Sequence, residues 1–464
     1  MKLSNDYKGE NMCVKKYLFV FLLIVISFSV NAQKRAFTIE DLYKVKNVSS
    51  PVLSNSGEKI AFTVSESDLS TGKTNTIVYI MNTNGSSLVN VSEKIPGASS
   101  PFWSSTDELY LMNKGQVYKY SLETNESVQI TDFYAGVSDP ILSNDGRYLA
   151  FTAELFPECG TDNDCNKRLD ESSSNGPMQA YIADELLFRH WTDYKGEKES
   201  YLVLFDIKEN KYQAITNSDV LSGTYMLGGG PKFAFSSDSR VLAYVSSREK
   251  NIANSTNTDI FLMPLGGNQT VNITLGNDAW DGAPIYSPDG NYIAYKTHSI
   301  PGFEADRFRI AVYNTQTLHS EVLTESFDYT TDNLSWSSDS KSIYFLADSR
   351  GYSPVYKVDV ETKVVTKITD DKSVRGYQTN KEEKNLYLTF STVDKPAEIF
   401  SYDVNAGVYS QITYFNKKLT EEVDIRPAEQ MWVDGADGIP VHVFIVKPHG
   451  FEEYKKYPLV INVH

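Results

Sequence analysis

A hydrolytic nucleophile needs a base beside it, and the candidates here are few. The chain of 464 residues carries six histidines (His190, His298, His319, His442, His449 and His464) and three cysteines. A serine raised on a strand-to-helix elbow reads Gly-x-Ser-x-Gly, with an acid and a histidine elsewhere to take and return its proton. No such elbow occurs. Gly136-Val137-Ser138-Asp139-Pro140 and Gly351-Tyr352-Ser353-Pro354-Val355 both lack the second glycine. No histidines pair at metal-ligand spacing, and Asp162 and Asp164 lack the rest of a calcium loop, so neither a metal nor a cofactor is expected. The expectation is a chain with no catalytic residue of its own.

Cys159 and Cys165 lie in PECGTDNDC. Their short separation closes easily into a loop, and an exported compartment permits a disulfide, which is the expectation. Two free thiols are the alternative. The third cysteine, Cys13, precedes the apolar run Tyr17–Val30, which follows Lys15 and Lys16 and leads into Val30-Asn31-Ala32. A basic start, an apolar centre and a small-residue exit read as a signal peptide over 1–32, and a membrane anchor is the alternative. No other segment is apolar enough to span, so the expected location is secreted or periplasmic. The formal charge of −16 comes without a Lys/Arg cluster, which argues against nucleic acid.

The elements that must position any chemistry are repeats. A turn-and-strand unit appears as PVLSNSGEKIAF, PFWSSTDELYLM, PILSNDGRYLAF, FAFSSDSRVLAY, PIYSPDGNYIAY, LSWSSDSKSIYF and YQTNKEEKNLYL. Its key polar positions are Ser54, Ser104, Ser143, Ser236, Ser287, Ser337 and Thr379. Between copies stands a second hairpin whose return strand ends in Ile-Thr or similar, at Ser92, Thr131, Thr216, Thr274, Thr324, Thr369 and Thr413. Alternation at period two marks half-buried strands, and Asp-Gly and Ser-Asp supply turns. Two hairpins per repeat make four antiparallel strands, and seven copies stacked radially predict an all-β, seven-bladed β-propeller over 33–424. A sandwich array or solenoid is the alternative. The 93-residue gap between Ser143 and Ser236 marks an insertion over 154–199. In it Ala180, Ala183, Leu186, Leu187 and His190 have roughly helical spacing.

After Thr413 the repeats stop. Residues 425–464 read as a strand Glu429–Val433, a turn, a strand Val441–Lys447, a Pro/Gly loop and a strand Leu459–Val463. The run PLVINVH is continuously apolar, as in strands buried on both faces. It is read as the start of an α/β-hydrolase domain cut short, with the remainder as a missing partner in cis. Pairing of these strands with the propeller edge is the alternative.

The propeller turns of the SPDG type, followed by a DG-initiated hairpin and YPLVINVH, resemble the prolyl oligopeptidase family of serine peptidases. The stretch CNKRLDE…YIADELLFRHWTDY resembles its dipeptidyl-peptidase 5 and acylaminoacyl-peptidase branch. The resemblance implies a parent enzyme that releases dipeptides from oligopeptides, with its triad beyond His464, a residue leading into the oxyanion loop. It implies that the insertion contacts substrate. Glu185 would hold the free α-amine and Arg189 a carbonyl, while Phe188 and Trp191 line an apolar pocket. Arg189 pairing with Glu185 one helical turn away is the bland alternative. Acylaminoacyl-peptidase or general oligopeptidase activity is the second reading, and a non-catalytic periplasmic propeller the third. Homo-oligomer formation is left open.

Overall fold

Strands, not helices, dominate the computed structural model, which describes residues 34–463 apart from 177–179, 181, 185, 187, 191, 195, 217–228, 250–251 and 268. The expected signal segment 1–32 and His464 therefore lie outside the described residues, as do Glu185 and Trp191. Two compact units are present: Val45–Thr392 with Pro396–Phe415, and the described residues of Met1–Lys44, Val393–Lys395 and Asn416–His464.

The larger unit holds seven four-stranded sheets, each of consecutive strands except the third, where the insertion's short hairpin intervenes, which is the seven-bladed propeller the repeats predict. The blades begin with the strands Asn47–Leu53, Ser99–Trp103, Ser138–Leu142, Phe233–Phe235, Asp281–Tyr286, Thr331–Trp336 and Ser373–Thr379. At four of the seven junctions the first strands of successive blades neighbour one another, which marks them as the inner strands. Among the described residues, seven apolar clusters each join two consecutive blades. One of them packs Val48, Ile60 and Phe62 of blade 1 against Tyr387 and Ile399 of blade 7. Among the described residues blade 1 takes no strand from the C-terminal side, and this apolar packing joins it to blade 7.

The repeat residues have defined tasks. Ser54, Ser104, Ser143, Ser236, Ser287 and Ser337 are buried. Each Oγ accepts a backbone N–H that would otherwise be orphaned in the turn, such as Tyr292 N–H at 2.9 Å from Ser287. The seventh equivalent is Asn380, whose carbonyl accepts the Glu383 N–H; the expected Thr379 ends the preceding strand instead. Three residues after each key position the backbone is left-handed, at Gly57, Gly146, Ser239, Gly290, Ser340 and Glu383, and at Asp107 in blade 2. Gly290 needs its missing Cβ, because one would lie 2.7 Å from Ser237 Oγ. Neighbouring turns are bonded together: Asn144 Nδ2 donates to Ser237 O and Ser340 Oγ accepts from Asp289 N–H.

In the smaller unit the strands Ala428–Asp434 and Pro440–Val446 form an antiparallel hairpin, pairing Trp432 with His442. The two expected strands are present with slightly different ends. The expected third strand is absent: Leu459–Val463 is irregular, and Leu459, Val460, Ile461 and Val463 are exposed. A strand is defined by ladder hydrogen bonds, and no described strand pairs with this segment.

Candidate functional site

The inner strands carry a recurring distortion. Six of the seven have a register shift against their second strand, between Ser49/Val52, Ser99/Phe102, Ser138/Ile141, Gly282/Ile285, Asp332/Ser335 and Val374/Gly376. Bulges of this kind re-aim side chains and gather beside functional sites. In blade 7 the extra residue is Arg375, since Val374 pairs with Phe390 and Gly376 with Thr389. In blades 5 and 6 the shifts are accompanied by left-handed Ala283 and Asn333.

Where blades 5, 6 and 7 begin, these strands border a cavity of about 340 Å³, which Gly229, four residues before blade 4, also lines. Lys296, Asp332, Asp348 and Arg375 supply its charge, and Phe308 and Leu346 its apolar wall. The Lys296 side chain is 2 % exposed, yet its Nζ lies 2.8 Å from Asp332 Oδ1. Its cation stands over the Phe308 ring at 4.5 Å and the Trp280 ring at 5.9 Å. Buried ammonium groups need such partners, and here a carboxylate and two ring faces provide them. Asp348 accepts the hydroxyl of Ser353, which also bridges in parallel to Ser373. A second cavity of about 470 Å³ opens between blades 2 and 3, with Lys114 and Asp139 on its wall.

Behind Lys296 sits a buried polar group of blade 5. Trp280, Asp281 and His298 are almost fully buried. Among the described residues, Trp280 Nε1, Asp281 Oδ1 and both ring nitrogens of His298 have no hydrogen-bond partner. The His298 ring stacks on Phe308 with centroids 4.1 Å apart. Asn277 Nδ2 donates to Asp281 Oδ2 at 3.1 Å. Burial pushes the Asp281 carboxyl up to about 7, and burial also lowers His298. Burial likewise opposes the ionised Asp306, but the N–H groups of Ser299, Arg307 and Ile300 outweigh it and bring Asp306 down to about 2. Gly282 is required beside this group, because a Cβ there would lie 2.4 Å from the Trp280 ring.

The insertion runs between the strands Tyr148–Leu155 and Glu199–Asp206 of blade 3. Its first half is anchored. Cys159 and Cys165 are joined as a disulfide. Asp162 caps a helix, α1, over Asn163–Ser174, its carboxylate accepting the Cys165 N–H at 2.8 Å. Capping is thus a task for one of the two aspartates weighed above as calcium ligands. Asn163 holds the helix to the blade 2–3 connection through Tyr134 N–H and Asp132 O. The spacing over 180–190 suggests a helix, but the described residues of that range are not helical. Ala180, Ala183 and Leu186 are exposed, so these three bury no apolar face that would hold a helix. The backbone of Arg189–His190 instead pairs with Asp193–Tyr194 as a short hairpin. The alternative pairing of Arg189 with Glu185 falls on a residue outside the described ones.

Of the expected substrate contacts, Phe188 and Arg189 are described and exposed, with the Phe188 ring 6.5 Å from that of Tyr194. The structure does not bring either to the cavity beside Lys296, whose wall they do not join. The serines of the two incomplete elbows lie in propeller positions: Ser138 opens an inner strand and Ser353 belongs to blade 6. Among the described residues no group of three or more metal-ligating side chains stands together.

Lys296 was missed, yet the sequence marks it. The residue at its place in the seven second strands is Thr63, Met112, Thr152, Val245, Lys296, Leu346 and Thr389. One lysine among neutral side chains at a buried register is the signal.

No family model matches the chain. Comparison with curated proteins finds dipeptidyl-peptidase 5 of Porphyromonas gingivalis, 24 % identical over 437 residues that cover 91 % of this chain and 62 % of that protein. Among solved structures, an acylaminoacyl peptidase in complex with Z-Gly-Gly-Phe-chloromethyl ketone superposes with a TM-score of 0.68 at 14 % identity, covering 91 % of this chain and 61 % of the other. The β-propeller domain of the Trilobed protease from Pyrococcus furiosus, described as having an open velcro topology, gives a TM-score of 0.54 at 14 % identity over 81 % of this chain and 97 % of that domain. The chain therefore spans about three-fifths of the length of the relative it matches. The resemblance to the dipeptidyl-peptidase 5 and acylaminoacyl-peptidase branch of the prolyl oligopeptidase family, read from the turns, the insertion and residues 425–464, holds along nearly the whole chain.

Proposed function

We propose that this chain is the propeller portion of an exported serine-type peptidase that releases dipeptides from oligopeptides. The observation that carries the reading is the match to dipeptidyl-peptidase 5 across 91 % of the chain. The relative is longer, and the reading supplies the hydrolase portion, with its nucleophile, acid and histidine, from sequence beyond His464. In this reading the hairpin Ala428–Asp434/Pro440–Val446 opens that portion, and the apolar side chains of 459–463 find their strand partners there. The propeller restricts entry to unfolded peptides, and the insertion residues Glu185, Phe188, Arg189 and Trp191 contact substrate. Export rests on the apolar run Tyr17–Val30 with its small-residue exit.

The test uses the full gene product. It is expected to hydrolyse dipeptidyl-aminocoumarins with a free amine, and to lose that activity when a fluorophosphonate labels a single serine beyond His464. Absence of a labelled serine would overturn the reading.

A further inference from the structure

We propose that the cavity between Lys296 and Arg375 is a binding site for short zwitterionic peptides, with the ligand carboxylate on Arg375 and its ammonium group on Asp348. The inference deepens the peptidase reading and rests on it for the choice of a dipeptide as ligand.

Charge accounting carries the argument. Four charged residues line the cavity, two cations and two carboxylates. Lys296 and Asp332 satisfy each other at 2.8 Å. Arg375 donates its Nε to Ser391 Oγ at 3.2 Å, and neither it nor Asp348 has an ionic partner among the described residues. Asp348 accepts the Ser353 hydroxyl. One guanidinium and one carboxylate thus remain for a ligand. A simple anion would meet Arg375 but also face Asp348 and Asp332, and a simple cation would face Arg375 and Lys296. A molecule with both charges satisfies both free groups.

Geometry supports the pairing. Arg375 is the extra residue of a bulge, the device by which a strand turns a side chain off the ladder. Ser353 links the two halves of the site. Its hydroxyl reaches Asp348, and its carbonyl accepts the Val374 N–H at 3.3 Å, one residue before Arg375. Phe308 and Leu346 offer apolar surface to a side chain between the charged ends. A volume of about 340 Å³ lies at the small end of ligand sites and suits a dipeptide.

The experiment titrates the full chain at pH 6.5, where the peptide amine is protonated, with Ala-Leu, N-acetyl-Ala-Leu and Ala-Leu amide, read by calorimetry. Ala-Leu is expected to bind, and each blocked form to bind about tenfold more weakly. In Arg375→Gln the free and amidated peptides should bind alike. In Asp348→Asn the free and acetylated peptides should bind alike. Both side chains are exposed, so both variants should keep the parent melting temperature. No binding of Ala-Leu up to about 10 mM, or equal binding of all three peptides by the parent chain, would overturn the proposal. So would parent-like discrimination in both variants. Failure here leaves the peptidase reading standing, because that reading is judged by hydrolysis. A gene product that binds Ala-Leu with this discrimination but hydrolyses nothing would sink the peptidase reading and keep the site.

Discussion

Thr324 Oγ1 accepts the backbone N–H of Ile310 at 2.8 Å, fourteen residues earlier in the chain and fully buried. The same bond, at the same separation of fourteen, joins Ser92 to Val78, Thr131 to Val117, Thr216 to Leu202, Thr274 to Ile260, Thr369 to Val355 and Thr413 to Ile399. The Ile-Thr ending of each repeat is therefore a hydrogen-bond device. It satisfies the third-strand N–H one residue before the part of that strand that pairs with the fourth strand. Thr324→Val keeps the shape but orphans the Ile310 N–H, so it should cost about 2 kcal/mol in urea unfolding, and Thr324→Ser should restore most of it. Equal stability of all three would contradict the assigned role.

Closure of the ring depends on Phe62, which is fully buried, stacks on Tyr79 at 5.7 Å and meets Phe415 edge-on at 5.9 Å. Phe62→Ala should cost about 3–5 kcal/mol. Because no exchanged strand holds blade 1 to blade 7 among the described residues, the variant should expose those two blades to limited proteolysis before the others. Uniform cleavage of all blades would argue against closure by packing.

The blades were legible because the repeat prints the same physics seven times: a buried turn serine, an alternating strand and a terminal threonine. Blade 7 strained the pattern, since Asn380 does the serine's work one position later than the copy suggests. The insertion was misread because spacing over 180–190 says where a helix face would be apolar, but not whether anything exists to cover it. Its real helix announced itself through a cap, Asp162, rather than through periodicity. The run 459–463 reads as a buried strand from composition, but a ladder partner is a property of other residues. The charged cavity depends on bulges, which shift register by one residue and leave no compositional trace. Only Lys296, out of place among its six counterparts, pointed there.

Asp281 should give the propeller an unusual pH dependence. Its carboxyl titrates near 7 when folded, well above an exposed aspartate, because burial disfavours the charge. The folded state therefore binds that proton more tightly than the unfolded state, and raising the pH from about 4 to about 7 costs stability, on the order of 4 kcal/mol in total. Asp281→Asn keeps an acceptor for Asn277 and removes the titration. Its advantage over the parent should grow across that window and level off above it. His298, lowered by burial, acts in the opposite sense in both proteins, so the difference between the two curves is the readout. Parallel stability curves would refute the assignment.

The Cys159–Cys165 disulfide closes a small loop that runs into the first turn of α1, and such a loop is worth about 2 kcal/mol of local stability. Replacing both cysteines by serine should leave the thermal unfolding of the blades unchanged. It should speed tryptic cleavage at Lys167 and Arg168, which are exposed on that helix. A drop in the blades' own melting temperature would mean that the insertion supports the ring.

The most direct measurement is a product analysis of an unblocked oligopeptide digested by the full gene product. Mass spectrometry should show dipeptides leaving in succession from the N-terminus, with an N-acetylated copy of the same peptide left intact. Release of a single acylated residue, cleavage inside the peptide, or no cleavage at all would contradict the account of this propeller as part of a dipeptide-releasing peptidase.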